Sequence, residues 1–170
     1  MSVPLVELAD RWAVLADLAV WTVAGFGIGF LTHRMGSWFR RDSWITRSRW
    51  FDTARLYERS FKVRRWKDRL PEAGAFFADG FSKRRLEGNN LAYLDRFVIE
   101  TRRAEVTHWL LVALIPAFFL WNPLRLAAAM AVYGLVANVP CILIQRYNRL
   151  RLQRVQGRAR RISTSRRGPG

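Results

Sequence analysis

The sequence predicts an all-α integral membrane protein: three transmembrane helices, with a basic interfacial and cytoplasmic helical segment between the first and the second. Three observations carry this. Hydrophobic residues make up 51% of the 170-residue chain and charged residues 25%, and the two classes are segregated along it rather than interleaved. The apolar residues gather in three runs, Ala13–Leu31, Trp109–Trp121 and Leu126–Ile144. Nearly all the charge behind the net +16 lies between and after those runs.

The first run holds 19 residues, close to the roughly 20 needed to cross a bilayer. Glu7 and Asp10 precede it where a signal peptide carries positive charge, and Asp17 lies inside it, so it reads as a retained anchor. Gly25 and Gly29 stand one helical turn apart and suit close packing against another helix. The GFGIG string that contains them is no dinucleotide fingerprint, because it lies within an apolar helix and no strand precedes it.

From Thr32 to His108 there are 18 Lys and Arg against 10 Asp and Glu. Trp38, Trp44, Trp50 and Trp66 alternate with basic residues there, the pattern of a segment lying in the headgroup layer and favouring anionic lipid. Nucleic acid would also attract this charge, but no nucleic-acid module is visible and the membrane runs already account for the asymmetry.

The second run holds only 13 residues before Pro123 and Arg125, which as a helix covers roughly 20 Å of a hydrocarbon core about 30 Å thick. The helix must draw on upstream residues, so Glu100–His108 should form its cytoplasmic end. The third run returns to the same side and is followed at once by Gln145, Arg146, Tyr147, Asn148 and Arg149. From Arg146 onward there are nine Arg and no acid. By the positive-inside rule the N-terminus is outside and the C-terminus cytoplasmic. A single membrane domain over 1–154 is expected, with crossings at 13–32, 104–121 and 126–145 and a cytoplasmic or interfacial segment over 33–103. Residues 155–170 are expected as a basic, disordered tail.

Ionisable groups at membrane depth are costly unless paired, so the two polar clusters near Glu105 and Arg146 mark a functional site by default. Thr101, Glu105, His108 and Val112 share one helical face, which brings Glu105 within reach of His108. A carboxylate that orients an imidazole suits general-base chemistry on a hydroxyl. Equally, both residues can anchor the helix end by pairing with Arg102 and Arg149. A single Glu-x-x-His falls short of the two copies that a di-iron bundle needs, and no metal is expected. Cys141 is the only cysteine; set among apolar residues, it reads as core rather than as a nucleophile.

Four blocks carry a resemblance: FKVRRWKDRLPEAGAFF (Phe61–Phe77), FSKRRL (Phe81–Leu86), ETRRAEVTHW (Glu100–Trp109) and ANVPCILIQRYNRLRL (Ala137–Leu152). Over about Phe61 to Arg154 the chain resembles the glycosyl-4,4'-diaponeurosporenoate acyltransferase family. The resemblance implies that Trp66, Lys67, Glu100, Arg102, Arg103, Glu105, His108, Trp109, Asn138, Pro140, Gln145, Arg146, Tyr147, Asn148 and Arg149 are motif positions. It also implies transfer of a fatty acyl chain to a sugar hydroxyl of a glycosylated carotenoid or other glycolipid at the bacterial cytoplasmic membrane.

On that basis the expected catalytic residues are His108, removing the hydroxyl proton, and Glu105, orienting the ring. Lys67, Arg102, Arg103, Arg146 and Arg149 are candidates for the phosphates of an acyl-CoA or acyl-carrier-protein thioester. Asn138, Gln145 and Asn148 are candidates for sugar hydroxyls, with Glu100 and Tyr147 completing the binding set. No cofactor beyond the thioester is expected, and no GxSxG elbow is present. The competing class is a non-catalytic membrane subunit or adaptor of a larger lipid-handling complex; a homo-oligomer or membrane-protein partner fits either.

Overall fold

The computed structural model describes residues 9–67 and 91–166. Among these every regular element is helical. Helix α1 spans Asp10–Arg34, a 3-10 turn follows at Trp38–Arg40, and two short helices, α2 (Ala54–Ser60) and α3 (Val63–Trp66), precede α4 (Leu91–Leu114). A second 3-10 stretch covers Ile115–Leu120, and α5 runs from Leu124 to Arg166. Three helical stretches, Arg11–Arg34, Ala92–Leu120 and Leu124–Arg158, are long and apolar enough to cross a membrane. Residues 68–77 of the first resemblance block and the whole block at 81–86 lie outside the described residues.

The short second apolar run is lengthened in two ways. Upstream, α4 takes in Glu100–His108 and begins at Leu91, well before the position about 20 residues back that a span requires. Downstream, Pro116 falls at the start of the 3-10 stretch, whose rise of about 2.0 Å per residue exceeds the 1.5 Å of an α-helix. Six residues wound this way reach about 3 Å further than an α-helix would.

The chain divides into two compact units: residues up to Gly36 with Val106–Ile142, and Ser37–Glu105 with Leu143 onward. In the first unit α1 meets the other helices at three levels. At one end Asp17 accepts from Trp121 Nε1 and Asn122 Nδ2, both at 2.8 Å. In the middle Trp21 stacks on Phe118 at 5.0 Å and meets the Tyr133 ring edge-on at 5.6 Å. At the other end the Thr32 and Thr107 hydroxyls lie 2.8 Å apart. Gly134 is what admits Trp21: a Cβ there would stand 2.8 Å from the indole and 2.9 Å from Ile115. At Gly25, by contrast, a Cβ would meet nothing within 4 Å, while Gly29 is buried. Val23, Phe26, Val132 and Val136 point outward, the arrangement expected where the solvent is lipid.

The second unit packs α2 and α3 on α5 through Ala54, Tyr57, Val63, Ile144, Tyr147 and Leu150, with a second cluster of Leu94, Phe97, Val98 and Leu152. Helix α5 continues through the stretch expected to be a disordered tail. Asp95 holds it there, accepting from Gln156 Nε2 at 2.8 Å and Arg160 Nη2 at 3.2 Å. The last four residues of that tail, 167–170, lie outside the described residues.

Candidate active site

In the second unit Glu105 is fully buried, and its carboxylate is shared by two guanidinium groups. Arg146 donates through Nε to Oε1 at 2.9 Å, and its Nη2 lies 2.9 Å from the same oxygen as an ion pair. Arg149, also fully buried, donates through Nη1 to Oε2. Residues three apart on a helix lie about 60° apart around the axis, so Arg146 and Arg149 share one face of α5. Tyr147 is turned aside by one residue and donates its hydroxyl to Glu58 at 2.6 Å.

Arg146 reaches further, donating to the Ile45 carbonyl and lying 3.8 Å from Asp52. Asp52 accepts from the Tyr57 hydroxyl at 3.0 Å and from the Arg49 amide at 3.1 Å. Burial, reinforced by the hydrogen bond to the Asp52 carboxylate and by its charge, pushes the Tyr57 phenol up to about 12. Two carboxylates and two guanidinium groups make this cluster charge-balanced, the condition under which buried ions are tolerated. Arg102 is likewise consumed: it binds Asp42 at 2.8 Å and the Arg40 and Phe39 carbonyls at 2.9 and 3.3 Å. Arg103 pairs with Glu100 on its own helix.

In the first unit Asn138, 4% exposed, donates Nδ2 to the Gly134 carbonyl at 2.9 Å. That bond turns its Oδ1 toward His108 Nδ1, 2.9 Å away. An amide oxygen only accepts, so Nδ1 carries a proton. In its neutral form the imidazole is thereby held as the Nδ1–H tautomer, with Nε2 as its basic nitrogen.

The structure thus brings Glu105 together with Arg146 and Arg149, and His108 together with Asn138. The partner on His108 Nδ1 is Asn138 from α5, where the sequence points to Glu105 one turn earlier on α4. Gln145 is buried, while Asn148 and Lys67 are half-buried. Asp42, Asp52, Tyr57 and Glu58 escape a sequence reading, and the only available signal is that they are acidic or phenolic groups within an otherwise basic stretch. Among the described residues no three His, Cys, Asp or Glu side chains gather to hold a metal ion.

The profile of the glycosyl-4,4'-diaponeurosporenoate acyltransferase family matches residues 40–158, a range that takes in both clusters. The chain belongs to this family. It is similar to the glycosyl-4,4'-diaponeurosporenoate acyltransferases of Staphylococcus haemolyticus strain JCSC1435, 37% identical over 99 residues, and Staphylococcus aureus strain N315, 32% identical over 99 residues. Those alignments cover 58% of this chain and 57% and 59% of the two relatives, so the chain matches less than two thirds of their length. No solved structure matches it.

Proposed function

We propose that the protein is a membrane acyltransferase that moves a fatty acyl group from a thioester to a sugar hydroxyl of a glycosylated lipid. The observation that supports this most is the His108–Asn138 pair, a general base held in one tautomer within a family of acyltransferases. His108 Nε2 takes the proton of the acceptor hydroxyl as its oxygen attacks the thioester carbonyl carbon. The C–S bond then breaks, and the imidazolium returns the proton to the departing thiolate. No covalent acyl-enzyme is needed. Asn138 orients the ring, and Glu105 fixes the side chains of Arg146 and Arg149. An N-out, C-in arrangement puts the basic segment on the cytoplasmic side, where thioesters are made.

A second reading, a non-catalytic membrane subunit, draws on Glu105, whose two oxygens are both occupied by guanidinium groups. Lipid mass spectrometry of cells lacking the gene, complemented with wild type or with His108→Ala, separates the two. Acyl transfer predicts a glycolipid lighter by one fatty acyl group in both the deletion and the His108→Ala strain. An unchanged lipid profile in the deletion would contradict it.

A further inference from the structure

The guanidinium groups that the sequence offers to a donor's phosphates are occupied: Arg102 by Asp42, Arg103 by Glu100, and Arg146 and Arg149 by Glu105. Elsewhere in the second unit, α2, α3 and the turn joining them surround an open concavity of about 260 Å³ lined by Glu58, Arg59, Lys62, Arg64 and Arg65. Four cations against one carboxylate give its rim a net charge of +3, counting 4 − 1 from the lining residues. None of the four cations has an ion-pair partner among the described residues. Glu58 is drawn toward α5 by the Tyr147 hydroxyl at 2.6 Å.

The backbone beneath this rim is built rather than merely solvated. Val63 is fully buried and Tyr57 nearly so. Trp66 Nε1 donates to the Phe61 carbonyl at 2.8 Å, and the Arg65 amide to the Lys62 carbonyl at 2.9 Å. Lys62 takes φ 49°, ψ 34°, the left-handed region that glycine adopts freely and a lysine does not. It is the one non-glycine residue with positive φ among those described. A charged side chain kept where glycine would be easier, in a turn that crowds four like charges, is a strained feature of the kind that gathers at ligand sites.

We infer that this concavity binds a phosphoryl group. Arg offers bidentate donors to phosphate oxygens and Lys a compact charge, and a polyanion would relieve the repulsion among the four cations. Two sources share this chemistry: the phosphates of a nucleotide-bearing acyl thioester, and the headgroup of an anionic phospholipid. In the first case the inference rests on the acyl-transfer reading and locates the donor's polar end.

The test uses the full chain in phosphatidylcholine nanodiscs, with coenzyme A as one probe, followed by calorimetry, and phosphatidylglycerol as the other, counted by native mass spectrometry. Arg64→Gln/Arg65→Gln should weaken binding by about tenfold or more per cation removed. Lys62→Gly should weaken it too while leaving thermal stability equal or higher, since glycine suits the backbone there; that variant separates lost binding from lost folding. Coenzyme A binding sensitive to these changes assigns the donor. Phosphatidylglycerol retention sensitive to them, without coenzyme A binding, assigns a lipid headgroup. If neither probe binds the wild type, or both bind the variants equally well, the inference is overturned. Coenzyme A binding in a protein that acylates no glycolipid would sink acyl transfer and leave the site standing; transfer with an unchanged donor KM in Arg64→Gln/Arg65→Gln would remove the donor role alone.

Discussion

The two units solve opposite problems. The first puts apolar side chains outward and draws its few polar groups inward as pairs: Asp17 with Trp121 and Asn122, Thr32 with Thr107, His108 with Asn138. The second displays cations outward, with Arg40, Arg41, Arg47, Arg55 and Arg59 all exposed, and buries a balanced set of ions around Glu105. Polar pairs in the first are few because each must satisfy itself where no water competes. Ions in the second can be numerous because every buried charge there has an opposite one beside it. A hydrogen-bonded imidazole therefore belongs to the first setting and a carboxylate clamped by two guanidinium groups to the second.

That contrast is broken most severely at Glu105. Glu105→Gln leaves Arg149 buried without its counter-charge and should cost about 3–5 kcal/mol, measured as unfolding in mixed micelles. Glu105→Leu combined with Arg149→Met removes both charges and should recover much of the loss. Recovery absent in the double variant would mean that the pair is not the source of the effect.

A smaller effect sharpens the packing side. Gly134→Ala drives a methyl against Trp21 and Ile115 and should cost about 1–3 kcal/mol. Gly25→Ala meets open space and should leave stability unchanged or raised. If the two glycines respond alike, α1 does not dock through Trp21.

The smallest effect is one of pH. Tyr57 holds its proton in the folded state up to about 12, whereas the unfolded phenol loses it near 10. The unfolded state therefore binds fewer protons between those values, and stability falls as pH rises from about 10 to about 12. Thermal melts across that window should show the fall, and Tyr57→Phe should flatten it.

Much of this was legible in the sequence. Three apolar runs set the number of helices long and apolar enough to cross a membrane, and the shortness of the second required α4 to reach back through Glu100–His108. The α5 extension to Arg166 was not legible, because an Arg-rich helix without apolar periodicity looks like an irregular tail, and what holds it is a distant residue, Asp95. His108 stood out as one of two histidines, set beside a carboxylate. Its partner did not, since the three- and four-residue spacing rule sees neighbours on the same helix only, while Asn138 comes from the facing one. Glu105 was legible as important, but its role turned on loop acids and α5 arginines that only the fold brings together.

The most direct test is the rate of acyl transfer from a fatty acyl thioester to a glycolipid by the purified full chain in nanodiscs, for wild type, His108→Ala and Asn138→Ala. General-base catalysis by an imidazole held in one tautomer predicts a rate about 10²–10⁴-fold lower for His108→Ala with folding intact, and a partial loss for Asn138→Ala. A His108→Ala protein that folds and transfers at the wild-type rate would contradict the account.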